Sequence, residues 1–411
     1  MNSKKRFFAF LSLSFLFITA SLFFSCKEKK NTEVLKREQR FILNYGNFED
    51  EIDLFDLMQQ GTNIETYLQM RNGFFYITNG KSKKVMQFTS YGDLLSILYN
   101  PETNPTPSFS ISENIGESKQ GTQQATAYQF LSPSNLAVDN DKNLYVVDQL
   151  PQERQELDSE RNIWLKNVVL RFSANGEYLD YLGQQGLGGT PFPHIQNVFC
   201  TEKNEPVVVS ITNDGYIVNW FNQDGFPLFT VPIETNLLPD PFEATGKDVF
   251  KSLDIIVPDY NTRILYLKID YYQSEIDANS GFKSAVSYGA TYIYPLNVET
   301  GIFLEPILVP SYEEQTKDSG EPDIKPYELL GITESGYFFF ITPLDNGYDL
   351  QIIQSNGQKI IHKKLLVAQE DLVFSRMNLS KEGIISSLLA NNFEVSVVWW
   401  RADEIIDSLI N

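Results

Sequence analysis

The chain has 411 residues, 42% of them hydrophobic and 21% charged, and carries a formal net charge of −20 at pH 7. That apolar fraction suits a globular protein with a sizeable core and excludes a disordered or collagen-like chain. The acidity argues against a phosphate-backbone partner, which needs clustered Lys and Arg to displace counterions, so no nucleic acid binding is expected.

At the N-terminus, Lys4, Lys5 and Arg6 precede an apolar run from Phe7 to Phe24 that stops at Ser25 and Cys26. This is the layout of a secretory signal, weighed against an uncleaved membrane span. Leu22, Phe23, Phe24 and Ser25 before Cys26 resemble a bacterial lipobox of the relaxed kind found in spirochaetal lipoproteins. The resemblance implies that residues 1–25 are a signal peptide and that Cys26 is the lipid attachment site. Loss of residues 1–25 would remove three positive and no acidic side chains, leaving 30 basic against 53 acidic groups, or −23. Cys200 would then be the one remaining cysteine; in "NVFCTEK" it reads as a buried, inert thiol on a strand, and no internal disulfide can form. Residues 26–39 are poor in apolar side chains and read as a flexible membrane tether. Residues 40–55, "RFILNYGNFEDEIDLF", carry a strand pattern but lack a repeat unit of their own.

Within residues 130–183 four short strands are expected, at 135–139, 144–148, 168–172 and 177–182, each bounded by Asn, Asp, Gly or Pro. The module recurs: "FFYIT", "PVVVS", "ILYLKI" and "YFFFI" each precede a turn-bearing hairpin, and "GIISSLLANNFEVSVVWWRADEII" is a weaker sixth copy. Four-stranded units cannot bury both faces alone and must stack. An all-β, six-bladed β-propeller over residues 40–411 follows, its ring closed by the N-terminal strand pairing with the last blade; tandem sandwich-like domains are the alternative.

Phe130, Pro133, Leu136, Ala137, Val138, Asp139, Tyr145, Val146, Asp148, Val169, Arg171, Phe172 and Gly176 resemble an NHL-type propeller repeat, and "GQQGLGGTPFP" resembles that family's link between blades. With the lipobox and the "YGNFEDEIDLF" start, the chain is similar to an uncharacterised family of spirochaetal lipoproteins with NHL-like (NHL/TolB-like) propellers. That resemblance implies a lipid-anchored place in the cell envelope and carries no active site.

Catalytic chemistry is not visible. "GQQGLGGT" lacks the Gly-Lys-Ser/Thr and the following helix of a phosphate loop. "DNDKN" has Leu144 and Leu150 where a calcium loop needs Gly and Glu, so a tight turn is expected. His194 and His362 are distant in blade order and have no ligating neighbours, so no metal site, cofactor or catalytic residue is assigned. The aromatic residues read as blade packing, except Trp164 in a polar insertion, the candidate binding residue. Insertions at 99–129, 150–165, 273–287 and 309–326 occupy b-to-c or blade-to-blade positions, which share one face; the other face receives short turns. These insertions together carry −8, favouring a polar or basic partner surface. The expectation is a monomeric, membrane-anchored scaffold that binds an unknown protein or envelope component. The alternatives are a lyase or hydrolase acting in the central channel, or a glycan-binding module.

Overall fold

The computed structural model describes residues 33–56, 61–62, 65–113, 123–242, 248–276, 283–315 and 322–410. The chain divides into residues 1–33 and a compact unit, Val34–Asn411. The expected signal peptide, Cys26 and the first part of the tether lie outside the described residues.

Six antiparallel sheets follow one another along the compact unit. Their inner strands (a) are Thr66–Arg71, Leu136–Val138, His194–Cys200, Val249–Pro258, Glu328–Ile332 and Phe374–Leu379, and define blades 1 to 6. Blade 2 also contains Leu144–Gln149, Asn167–Phe172 and Tyr178–Gly183, within one residue of the expected positions. The architecture is a six-bladed β-propeller.

The middle strands are apolar on both faces because each face meets a different neighbour. Val207 and Val209 enter the core shared by blades 3 and 4, while Val208 between them enters the core shared by blades 2 and 3. In "YFFFI", Phe339 packs toward blade 6, and Phe338 and Phe340 toward blade 4. Six such wedge-shaped cores stand at the six inter-blade junctions.

Ring closure comes from the N-terminal segment. Arg37–Asn44 pairs antiparallel with Glu394–Arg401 as the outermost strand of blade 6. Just before it, Val34–Leu35 pairs parallel with Ile360–Leu366, the outermost long strand of blade 5. Strand structure therefore begins inside the stretch expected as tether, and the closing strand ends at Asn44 rather than reaching residue 55. The polar sequence disguises an edge strand whose long side chains lie on an aromatic ring. Arg40 stacks with its guanidinium 4.1 Å from the Trp399 ring centroid, and Glu38 accepts a 2.9 Å hydrogen bond from Trp399 Nε1. Phe41 and Leu43 point inward, and Phe41 packs against Phe75 and Phe88 of blade 1. The acidic C-terminal tail forms a helix, Asp403–Ile410, whose Ile406 is buried against blades 5 and 6.

The insertions are structured where described. Residues 150–165 hold the hairpin Glu156–Asp158/Ile163–Leu165. Of residues 273–287, those described, 273–276 and 283–287, continue the paired strands Ile264–Ile276 and Lys283–Asn297. Residues 309–326 contain the pair Tyr312–Gln315/Pro322–Lys325, and 99–129 supply a short helix, Ser108–Glu113, and a parallel strand, Gln124–Ala127, on the edge of blade 1. In "GQQGLGGT", Gly186–Leu187 folds back onto Leu182–Gly183 with φ of +98° at Gly186 and +61° at Gly188, a connecting loop that only glycine adopts freely.

Phe41→Ala should lower the free energy of urea unfolding by about 3 kcal/mol, since a buried aromatic at a junction is lost. Ile42→Ala, the exposed next residue, should cost under about 0.5 kcal/mol. Equal losses would contradict the register, because a one-residue slip exchanges the two faces.

Candidate functional site: a channel closed at one end

The inner strands of all six blades surround a central cavity of about 610 Å³. Its two ends differ. At one, the tight turns that follow the inner strands converge and block the axis. Each blade contributes: Arg71 from blade 1, Asn140 from blade 2, Glu202 from blade 3, Tyr260 and Asn261 from blade 4, Glu334 from blade 5 and Lys381 from blade 6. Lys381 Nζ donates to Glu202 Oε1 at 2.7 Å and lies 3.4 Å from Glu334 Oε2. Because blades 3 and 6 stand opposite each other, the first of these bonds crosses the axis. Arg71 donates to the Asn140 side chain and lies 3.6 Å from Glu202 Oε1. Asn140 Nδ2 donates to Glu202 O at 2.9 Å, Glu202 N to Tyr260 O at 3.0 Å, and Asn261 Nδ2 to Glu334 O at 2.8 Å. Burial pushes the Tyr260 hydroxyl pKa upward, so it stays a neutral part of this plug.

The other end opens on the face that bears the insertions. Its wall is mostly uncharged and polar. Asn135 Nδ2 donates to Gln196 O at 3.0 Å and to Asn197 Oδ1 at 2.9 Å, joining blades 2 and 3, and Gln196 Nε2 donates to Asp254 O at 3.1 Å, joining 3 and 4. Arg376 of blade 6 stacks 4.0 Å from the Tyr67 ring centroid of blade 1. The blade 4 and 5 side of the mouth is acidic. Lys268, only 2% exposed, bonds Asp254 at 2.9 Å and Asp270 at 2.8 Å. Burial opposes its charge, but Asp270 and Asp254 outweigh burial and raise its pKa. Glu328, in the cavity wall, is held above the usual carboxylate range by burial and by repulsion from Asp254, with Lys268 opposing.

The residues singled out from sequence do not converge. His194 sits exposed at the channel mouth, whereas His362 lies on the outer strand of blade 5, its Nδ1 3.5 Å from Asp349. Cys200 is buried, and burial drives its thiol pKa well upward. "DNDKN" is a turn in which Asp139 accepts from the Asn143 backbone at 2.8 Å and side chain at 2.9 Å. Trp164 is 57% exposed on its hairpin and pairs across it with Leu157, itself 49% exposed. The hairpin tip leans on blade 3, where Asn213 Nδ2 donates to Arg161 O at 3.0 Å. Among the described residues no group of three or more His, Cys, Asp or Glu could hold a metal ion. Sequence reasoning missed the plug and the Glu328–Asp254 pair. The plug left one signal, a charged or amide residue in every turn after an inner strand.

The strand pairing thus defines a six-bladed β-propeller with one open channel mouth. No protein-family model and no curated protein matches the chain. Among solved structures it is similar to an ulvan lyase of a polysaccharide lyase family, at 10% identity over 89% of this chain and 83% of that one, with a TM-score of 0.40. It is also similar to the Dos1 propeller, at 8% identity over 85% and 82%, TM-score 0.37. A gluconolactonase from Xanthomonas campestris gives 10% identity over 79% and 82%, TM-score 0.36.

Asp254→Asn should lower the titration midpoint of Glu328, followed by carbon NMR of its side-chain carboxyl, because the repulsion goes while Lys268 stays. An unchanged or higher midpoint would contradict the geometry of the acidic side.

Proposed function

We propose that the protein is a lipid-anchored envelope protein of the spirochaetal lipoprotein type, whose propeller is a scaffold for a protein or envelope partner received on the insertion-bearing face. The observation that carries this reading is the asymmetry of the ring. One face is sealed by short turns tied to one another, and the other gathers the insertions around the open mouth. Binding surfaces in repeat folds concentrate on the face that accepts insertions, since the minimal turns of the other face leave little to vary. Trp164 and Leu157 supply an exposed apolar pair beside polar groups, the composition of an interface anchor with a wet rim. The four acidic insertions favour a polar or basic partner surface.

A second reading is carried by Glu328. A carboxyl held above its usual range in a cavity of about 610 Å³ suits a site for a small polar molecule, bound or turned over in the channel. Small-molecule binding abolished by Glu328→Gln but untouched by changes at Trp164 would favour it over the scaffold.

Two experiments test the scaffold. Cys26→Ser should abolish labelling by a fatty-acid analogue and leave unprocessed precursor; continued labelling would remove the lipoprotein reading. The double variant Leu157→Ser, Trp164→Ala should leave the urea midpoint unchanged, because both side chains are exposed, and cut partner crosslinking in intact cells by about tenfold or more. Undiminished crosslinking would show that this hairpin is not the anchor.

A further inference from the structure

Cysteine and tyrosine aside, the ionisable side chains of the channel wall are His194, Asp259, Glu328 and Arg376. Asp259 is engaged toward the closed end, where its carboxylate accepts from the backbone amides of Asn261 at 3.0 Å and Thr262 at 2.7 Å. Arg376 and Glu328 differ from it. Among the described residues neither side chain has a hydrogen-bond or ion-pair partner, and they do not pair with each other. Arg376 engages only the face of its guanidinium, 4.0 Å from the Tyr67 ring centroid, which leaves its N–H edge available. The acids nearby in the chain do not answer it. Glu65, two residues before Tyr67, accepts from Ser132 Oγ at 3.1 Å, while Glu370 and Asp371, in the link into blade 6, are exposed and outside the cavity wall. The charges that act on Glu328 are those of blade 4: Asp254 repels it, and Lys268 attracts it but is already bonded to Asp254 and Asp270.

A cavity in which a guanidinium and a carboxyl group both go unanswered, set too far apart to neutralise each other, is complementary to a molecule with a carboxylate at one end and an ammonium at the other. Burial and repulsion already press on the Glu328 carboxylate, and an ammonium beside it would offset both. The wall also offers amides. Asn197 Oδ1 accepts from Asn135 at 2.9 Å and Asn378 Oδ1 from the Met70 amide at 3.3 Å, which leaves the NH2 group of each to meet a carbonyl oxygen. The volume of about 610 Å³ lies in the range of small-ligand pockets. Separated charges with carbonyl-seeking amides in the same wall suit a peptide better than a single amino acid, whose two charged groups share one carbon.

We propose that the channel binds a short linear peptide with both ends free, its carboxylate held by Arg376 on the Tyr67 ring and its ammonium by Glu328. This rests on the reading of the channel as a small-molecule site and names the molecule.

The test uses the full-length protein, purified in mild detergent, and a random pool of di- to tetrapeptides of the twenty amino acids, with retention on ultrafiltration read by mass spectrometry. The pool should be retained, and amidating the C-termini or acetylating the N-termini should each cut retention by about tenfold or more, as the loss of a charge-assisted contact does. Arg376→Gln should make acid and amide pools equal, and Glu328→Gln should make amine and acetyl pools equal, each with the urea midpoint unchanged. Capped pools retained as well as the free one, or single amino acids retained in place of peptides, would overturn the proposal. A parallel pool of sugars, polyols and organic acids separates the two readings. Its retention without that of peptides, lost in Glu328→Gln, would overturn the peptide and leave the small-molecule site standing. Retention of neither pool would overturn both.

Discussion

Each blade of this ring buries both faces of its sheet, so every blade depends on two neighbours, and the chain can satisfy that demand only if its ends meet. The antiparallel pairing of Arg37–Asn44 with Glu394–Arg401 is that meeting. It does more than complete a sheet, because Phe41 on the same strand reaches across to Phe75 and Phe88 of blade 1. One strand thus unites the first and last blades, and Val34–Leu35 adds the fifth. With Cys200 buried and free, cohesion of the ring comes from apolar wedges and strand pairing, and its cost is a seam held by hydrogen bonds rather than a covalent link.

Closure also sets the chemistry of the axis. Six inner strands held at fixed angles bring their turns together, and the residues there neutralise one another: Lys381 and Arg71 meet Glu202, while Glu334 takes Lys381. Charges at such a place would be costly if left unpaired, and the network pairs them across blades that are otherwise far apart in the chain. The result is a cup. Anything that enters the channel does so from the face with the insertions, past amides, Tyr67, Arg376 and the acidic pair Glu328 and Asp254.

Much of the fold was legible in the sequence because propeller blades announce themselves locally. The strands of blade 2 are separated by tight turns at "DNDKN" and "SANGE", and burial on both faces makes the middle strands continuous apolar runs. The ring closure was legible from a surplus strand at one end and a missing one at the other. Its start was not: residues 36–40 are all polar, with Glu38 and Arg40 lying on the Trp399 ring, and a covering strand has the composition of a tether. The extension of blade 4 was hidden for a similar reason, since serine and charged residues on a projecting hairpin have no core to pattern them. The site was less visible still. Lys381 and Glu202 lie 179 residues apart, and only the closed ring makes them a pair. Glu328 draws its significance from burial and from repulsion by Asp254, which no spacing encodes.

The ring depends on the N-terminal strand as an integral part of its last blade. Native-state hydrogen exchange followed by mass spectrometry tests it most directly, because exchange reports the opening free energy of each segment. The amides of 37–44 and of their partner 394–401 should exchange together, at the slow rate of the inner strands of blades 2 and 3. Rapid exchange of 37–44 while 394–401 and the other blades stay protected would show that the ring holds without this strand, and would contradict the account.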